Sequence, residues 1–120
     1  MKLIIDIIPI SYYQYLSQNR YRKYITAKGK EYKRDIEDKL SVFMVDKEIK
    51  TGDIRLHLEF HHNTRRKNDV DNYAKPIMDF MSDIVYLDDQ QVTELNVKKF
   101  YDKEHPRIVI EVWEEKTKSE

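Results

Sequence analysis

The sequence predicts one α+β domain spanning 1–120, a mixed β-sheet with two helices packed on it in the order β-α-β-α-β-β. Three observations lead there. The stretch Ile54-Arg55-Leu56-His57-Leu58-Glu59-Phe60 alternates apolar and polar residues without a fault, the period of a half-buried strand. Two other stretches repeat apolar residues at helical spacing and separate strand-like segments. A chain of 120 residues has length for one modest core, and no repeat, low-complexity run or linker divides it.

Taken in order, Leu3 to Ile10 is rich in isoleucine and runs into Pro9, which suits a first strand entering a loop. Tyr12 to Tyr24 is basic, tyrosine-rich and without period, and reads as a long surface loop. Thr26 is a candidate N-cap, after which Tyr32, Ile36, Leu40, Phe43 and Met44 share a helical face. Thr51-Gly52 turns the chain into the alternating strand. Ala74, Ile77, Met78, Met81, Ile84 and Val85 mark one face of a second helix, leaving Lys75, Asp79, Ser82 and Asp83 on the other, and Pro76 predicts an irregular entry. Val92 to Tyr101 and Arg107 to Trp113 read as a closing hairpin across His105-Pro106, and Glu114 to Glu120 as a frayed polar tail.

Composition narrows the chemistry. Apolar residues at 40% argue against a disordered chain even with 37% charged, while that much charge makes dimerisation a natural way to bury more surface. With no cysteine there is neither a disulfide framework nor a thiolate metal site, so a metal must be held by oxygen or imidazole. Asp6 interrupts the apolar opening and no small-residue cleavage site follows, so a signal peptide and a membrane span are not expected, and a reducing cytoplasm is compatible with the lack of cysteine. The formal net charge is zero, yet Ser17 to Arg34 holds seven bases against one acid, Glu31, while acids gather from Asp79 to Glu94. Basic surfaces beside an acidic pocket suit a phosphodiester and a divalent cation; the alternative is a merely solvated face.

The chemistry concentrates in Arg65-Arg66-Lys67-Asn68-Asp69-Val70-Asp71-Asn72 and in Asp88-Asp89. If the chain stays extended, Asp69 and Asp71 project to the same side and share a cation, with Asp88-Asp89 completing an oxygen donor set for magnesium. Lys75 falls four residues after Asp71, one helical turn, where it neutralises charge on a phosphate or holds the attacking water. Arg65, Arg66 and Lys67 are candidate phosphate clamps, and Arg20, Arg22 and Lys23 further DNA contacts. The alternative for Asp-Val-Asp-Asn is helix capping alone. Tyr12, Tyr13, Tyr21 and Trp113 could stack on bases, though tyrosine is more often a core residue with a wet tip. His61 and His62 point oppositely from a strand and are expected to be solvated strand-end residues.

The basic knot, D-x-D-N, the lysine four after the second aspartate, and Tyr86-Leu87-Asp88-Asp89-Gln90-Gln91-Val92 together resemble the RusA family of Holliday junction resolvases. Thr26 to Tyr32 is similar to that family's S-x-x-G-x-x-Y helix start. The resemblance implies that Asp69, Asp71 and Asp89 are the essential acids around Mg2+, with Mn2+ able to substitute, and Lys75 the essential lysine. Asp88 matches a recurrent family acid whose role the resemblance does not assign, and is an additional metal-ligand candidate. It further implies a homodimer that binds a four-way DNA junction and nicks two strands symmetrically in recombination and repair, often carried on a phage or prophage. The chain departs from the pattern in Pro9 to Arg20, where a proline-asparagine loop is usual, and in Pro76, directly after the key lysine. A nuclease of flaps or forks and a non-catalytic junction-binding phage protein are the competing expectations.

Overall fold

The structure is a computed structural model described over residues 1–65 and 69–115. Its elements are β1 (Lys2–Ile5), α1 (Tyr12–Tyr15), β2 (Leu16–Gln18), β3 (Lys23–Ile25), α2 (Ala27–Phe43), β4 (Asp53–His62), α3 (Val70–Met81), a 3-10 turn (Asp89–Gln91), β5 (Val92–Tyr101) and β6 (Arg107–Glu115). This is a single α+β domain with a mixed sheet, but it carries three helices rather than two.

The main sheet has the order β1-β6-β4-β5. β4 is hydrogen-bonded on both edges, antiparallel to β6 and parallel to β5, and α3 makes the crossover that a parallel pair requires. β5 and β6 therefore form no hairpin, contrary to the sequence reading, because β4 lies between them. The reason is visible in their polarity. Ile108, Ile110 and Val112 of β6 are buried, whereas β5 carries Glu94, Lys98 and Lys99 and buries no residue fully, as an edge strand does.

One face of the sheet, bearing Ile54, Leu56, Leu58 and Phe60 of β4, packs against the helices and forms the core. The Thr26 hydroxyl accepts from the Gly29 amide at 2.9 Å, so the N-cap expected there is present. Gly29 allows the first turn of α2 to lie against the end of α1, since a Cβ at that position would stand 2.4 Å from the Tyr15 carbonyl oxygen. Phe80 of α3 then meets the rings of Tyr15 and Tyr32 edge-on at 5.3 and 5.9 Å, tying the three helices together.

Tyr12 to Tyr24 is not the loop expected. Ser11 and Gln14 form a reciprocal capping box around α1, and Asn19 Oδ1 accepts from the amides of Tyr21 and Arg22 to close the β2-β3 hairpin. The second helix begins at Val70, earlier than the apolar pattern suggests, and ends at Met81. Ile84 and Val85 thus belong to the following turn, where Asp83 takes φ 69°; the helix is not broken at Pro76, as expected, but Pro76 is its seventh residue and not part of an irregular entry. Glu114 and Glu115 belong to β6, with Glu114 Oε2 accepting from the Thr51 and Gly52 amides at 2.9 Å, so no tail starts there. Residues 116–120 lie outside the described part.

On the helix-free face, Glu59 accepts from Nε2 of both His57 (2.9 Å) and His61 (3.0 Å), and Asn96 Nδ2 donates to His57 Nδ1 at 2.9 Å. Hydrogen bonding from His57, and after it from His61, holds the Glu59 carboxyl below its usual range against the opposing effect of burial. Its folded pKa lies below its unfolded one, so this stabilisation is present above the unfolded value and is lost as pH falls through the folded value. Urea denaturation across pH should show Glu59→Gln costing about 1 kcal/mol at neutral pH and nothing in acid.

Candidate active site

Helical spacing places Asp71, Ala74, Lys75 and Met78 on one side of α3, and these residues, with Asp89 of the 3-10 turn and Leu95 and Val97 of β5, line a cleft of about 450 Å³. Two carboxylates separated by eighteen positions in sequence and the lysine one turn after the first of them share this cleft. The Lys75 ammonium lies 5.0 Å from the centre of the Tyr12 ring, a cation-π contact that narrows its freedom. Asp79, a further turn along, has its carboxyl pushed up by burial while Lys75 pulls it down, so Lys75 stands between acids on both sides along the helix.

Asp89 is crowded by its own kind. Hydrogen bonding to Asp88 raises its carboxyl above the usual range, and burial and the charges of Asp88 and Asp79 push the same way against Lys75. The segment is held by Gln91, whose Oε1 accepts from the Leu87 and Asp88 amides at 2.8 and 3.0 Å. Its Nε2 donates to the carbonyls of Lys50 and Gly52 at 3.0 and 2.9 Å. Beneath it, the fully buried Tyr86 donates to the Met78 carbonyl at 2.8 Å, tying the turn to α3.

The premise that Asp69 and Asp71 lie on extended chain does not hold. The helix starts at Val70, which makes Asp69 its N-cap and Asp71 its second residue, and Asp69 is not part of the cleft lining. Asp69 makes no side-chain capping bond, so capping alone does not account for it. Among the described residues no three His, Asp or Glu side chains gather closely enough to hold a metal ion. The donors in the cleft are nevertheless all oxygen, and the Asp89 carboxyl stands beside that of Asp88. Two carboxylates with open positions fit a magnesium ion, which keeps several waters and takes the rest of its shell from substrate.

Arg65 lies over the Tyr101 ring at 4.3 Å, and Tyr101 and Lys99 share the face of β5 that carries Leu95 and Val97. From Leu95 to Tyr101 that row spans about 20 Å along β5. Arg66, Lys67 and Asn68 lie outside the described residues. Arg20, Arg22 and Lys23 sit exposed at the tip of the β2-β3 hairpin beside Tyr21.

His61 and His62 do point oppositely, but both are buried and not solvated: His61 stacks on Phe100 at 4.6 Å, and His62 meets Tyr73 edge-on at 4.6 Å. Their strand is longer than its alternating core, so its last residues are covered by neighbours.

A model of the family described as Endodeoxyribonuclease RusA matches residues 9–113, nearly the whole chain and the entire cleft. The chain belongs to the RusA family. Over 92 residues it is 30% identical to the crossover junction endodeoxyribonuclease RusA of Shigella sonnei, covering 76% of each protein. The RusA of Enterobacteria phage 82 matches at the same identity and coverage. A Bacillus subtilis protein, YqaN, is 46% identical over 48 residues, 40% of this chain and 33% of that protein.

Within this RusA domain, sequence reasoning missed Asp79, the support from Gln91, and the Tyr12 contact to Lys75. The capping-box pair Ser11 and Gln14 was the signal that could have placed Tyr12 on a helix.

Proposed function

We propose that this chain is a magnesium-dependent, structure-specific endonuclease that resolves four-way DNA junctions by paired symmetric nicks, acting as a homodimer in recombination and repair. The observation that carries the reading is the cleft shared by Asp71, Lys75 and Asp89 in a RusA-family chain. The names of the Shigella sonnei and phage 82 relatives support the substrate, and the phage relative supports a phage or prophage gene working in a bacterial cytoplasm.

In this reading Asp71 and Asp89, with Asp69 and Asp88 beside them, hold Mg2+ or Mn2+. When bound, the ion supplies charge neutralisation at the phosphate and a lowered pKa for the attacking water. Lys75 presents its ammonium to the phosphate oxygens, where negative charge grows as the P–O bond breaks. Met78, Leu95 and Val97 give the cleft an apolar wall beside the two acids. Arg65, pre-oriented on Tyr101, and Lys99 contact phosphates further along the strand, joined by Arg66, Lys67 and the hairpin bases Arg20, Arg22 and Lys23. Two equivalent sites related by a two-fold axis match the two-fold symmetry of the junction.

The test is cleavage of a synthetic four-way junction in magnesium, beside flap, fork and duplex substrates of the same sequence. Paired nicks confined to the junction are expected, with a dimer mass by sedimentation. Preference for flaps or forks overturns the junction assignment, and tight junction binding without cleavage overturns the enzymatic one.

Positioning predicts a further effect. Gln91→Ala releases four hydrogen bonds that hold the Asp88-Asp89 segment. Single-turnover cleavage should fall about tenfold, while thermal unfolding registers a loss of about 1–3 kcal/mol. Gln91→Glu, which keeps the acceptor, should recover part of the rate.

A further inference from the structure

A second cleft, of about 380 Å³, opens on the other side of the first turns of α3, where Tyr73 lines it with His62, Asn63 and Thr64 from the end of β4 and with Pro9, Ile10 and Lys28. Its volume is that of small-molecule sites, about 300–1,000 Å³. None of the acids of the first cleft lines it. Ser11 and Gln14 also border it, but their side chains are spent on the capping box.

His62 is only 5% exposed, and its buried Nε2 meets no hydrogen-bond partner among the described residues. A buried polar atom left unpaired costs about 1–3 kcal/mol, so a native fold keeps one mostly where a ligand or water completes it. Burial, and after it the charges of Lys99 and His61, hold the imidazole pKa down, so the ring is neutral at physiological pH. A neutral ring offers one donor and one acceptor nitrogen, which suits hydrogen bonding to an uncharged polar edge better than to a phosphate. The surroundings agree. Pro9, Ile10 and Tyr73 offer apolar walls, Asn63 and Thr64 bring polar side chains, and Lys28 is the sole cationic lining residue described.

We propose that this cleft receives an unstacked nucleobase of the DNA substrate, covered on its faces by Pro9, Ile10 and Tyr73 and read at its edge by His62, Asn63 and Thr64. Lys28 faces the phosphate of the same nucleotide. The subsite lies one helix width, about 10 Å, from the proposed cutting site, so it selects sequence near the branch point, where bases come unstacked most cheaply. This rests on the nuclease reading, since it names that site's substrate.

The test is made in EDTA, so that no cutting intervenes. The His62 ring resonances of the labelled protein are followed by NMR against a single-stranded tetranucleotide, the same strand with every base removed, and inorganic phosphate. The base-bearing strand should move the His62 signals and bind His62→Phe about tenfold more weakly than wild type. The abasic strand and phosphate should leave them still and bind both proteins alike. Equal shifts from the abasic strand or phosphate, or no shift at all, overturn the proposal. His62→Gln, which keeps a hydrogen-bonding edge, should recover affinity, and the wild-type shifts stand as a readout even if His62→Phe folds poorly. Junction cleavage without a base-dependent shift overturns the subsite alone, and a base-dependent shift without junction cleavage overturns the reaction alone.

Discussion

Asp71→Asn is expected to lower single-turnover cleavage of a four-way junction in magnesium by about a thousandfold or more, while the protein stays folded. The amide keeps the shape and the hydrogen-bonding reach of the carboxylate and removes only its charge, and Asp71 is exposed at the second position of α3, so no packing is lost. Removing an acid from the first turn of a helix costs about 0.3–1 kcal/mol through the helix dipole, a change that melting followed by circular dichroism would register as small. The same variant should bind the junction in EDTA as tightly as wild type or more tightly, since an acid facing phosphates repels them. Cleavage within tenfold of wild type would remove Asp71 from the reacting centre and with it the assignment of the cleft.

Phe80→Ala should have the largest effect on stability. Phe80 is 2% exposed and is the ring against which both Tyr15 and Tyr32 pack, so its removal opens a cavity between all three helices. Such a truncation costs about 3–5 kcal/mol, set against a total of about 5–15 kcal/mol for a domain. Urea denaturation should show a lowered midpoint with an unchanged slope, and the melting temperature should fall by more than about 10 °C. Because α3 carries Asp71 and Lys75, activity should decay with the folded fraction. A loss under about 1 kcal/mol would show that the helices are held together elsewhere.

Much of the local structure was legible because its causes are local. Thr26 before a helical repeat, the alternation from Ile54 to Phe60, and the turn-by-turn spacing of Asp71 and Lys75 each depend on residues within a few positions of one another. Where the reading failed, the cause lay further off. The β5-β6 hairpin was inferred from adjacency along the chain, but the apolar richness of β6 drew it to the interior beside β4 and the charges of β5 left it at the edge. His61 and His62 looked like wet strand-end residues, and the rings of Phe100, on another strand, and Tyr73, on the next helix, covered them instead.

The candidate site divides along the same line. The sequence by itself determined which groups are available: carboxylates and no cysteine, a lysine one turn from an aspartate, a basic knot before them, and the spacing that resembles the RusA family. Tertiary structure alone decided which of those acids meet. Asp71 and Asp89 share a cleft because α3 crosses beside β5 and Gln91 pins the turn between them to Lys50 and Gly52. Asp69, nearer to Asp71 in sequence, stands at the N-cap of the helix and is not among the residues that line the cleft. Spacing governs neighbours within a helix or strand, whereas convergence across eighteen residues depends on how buried faces pack.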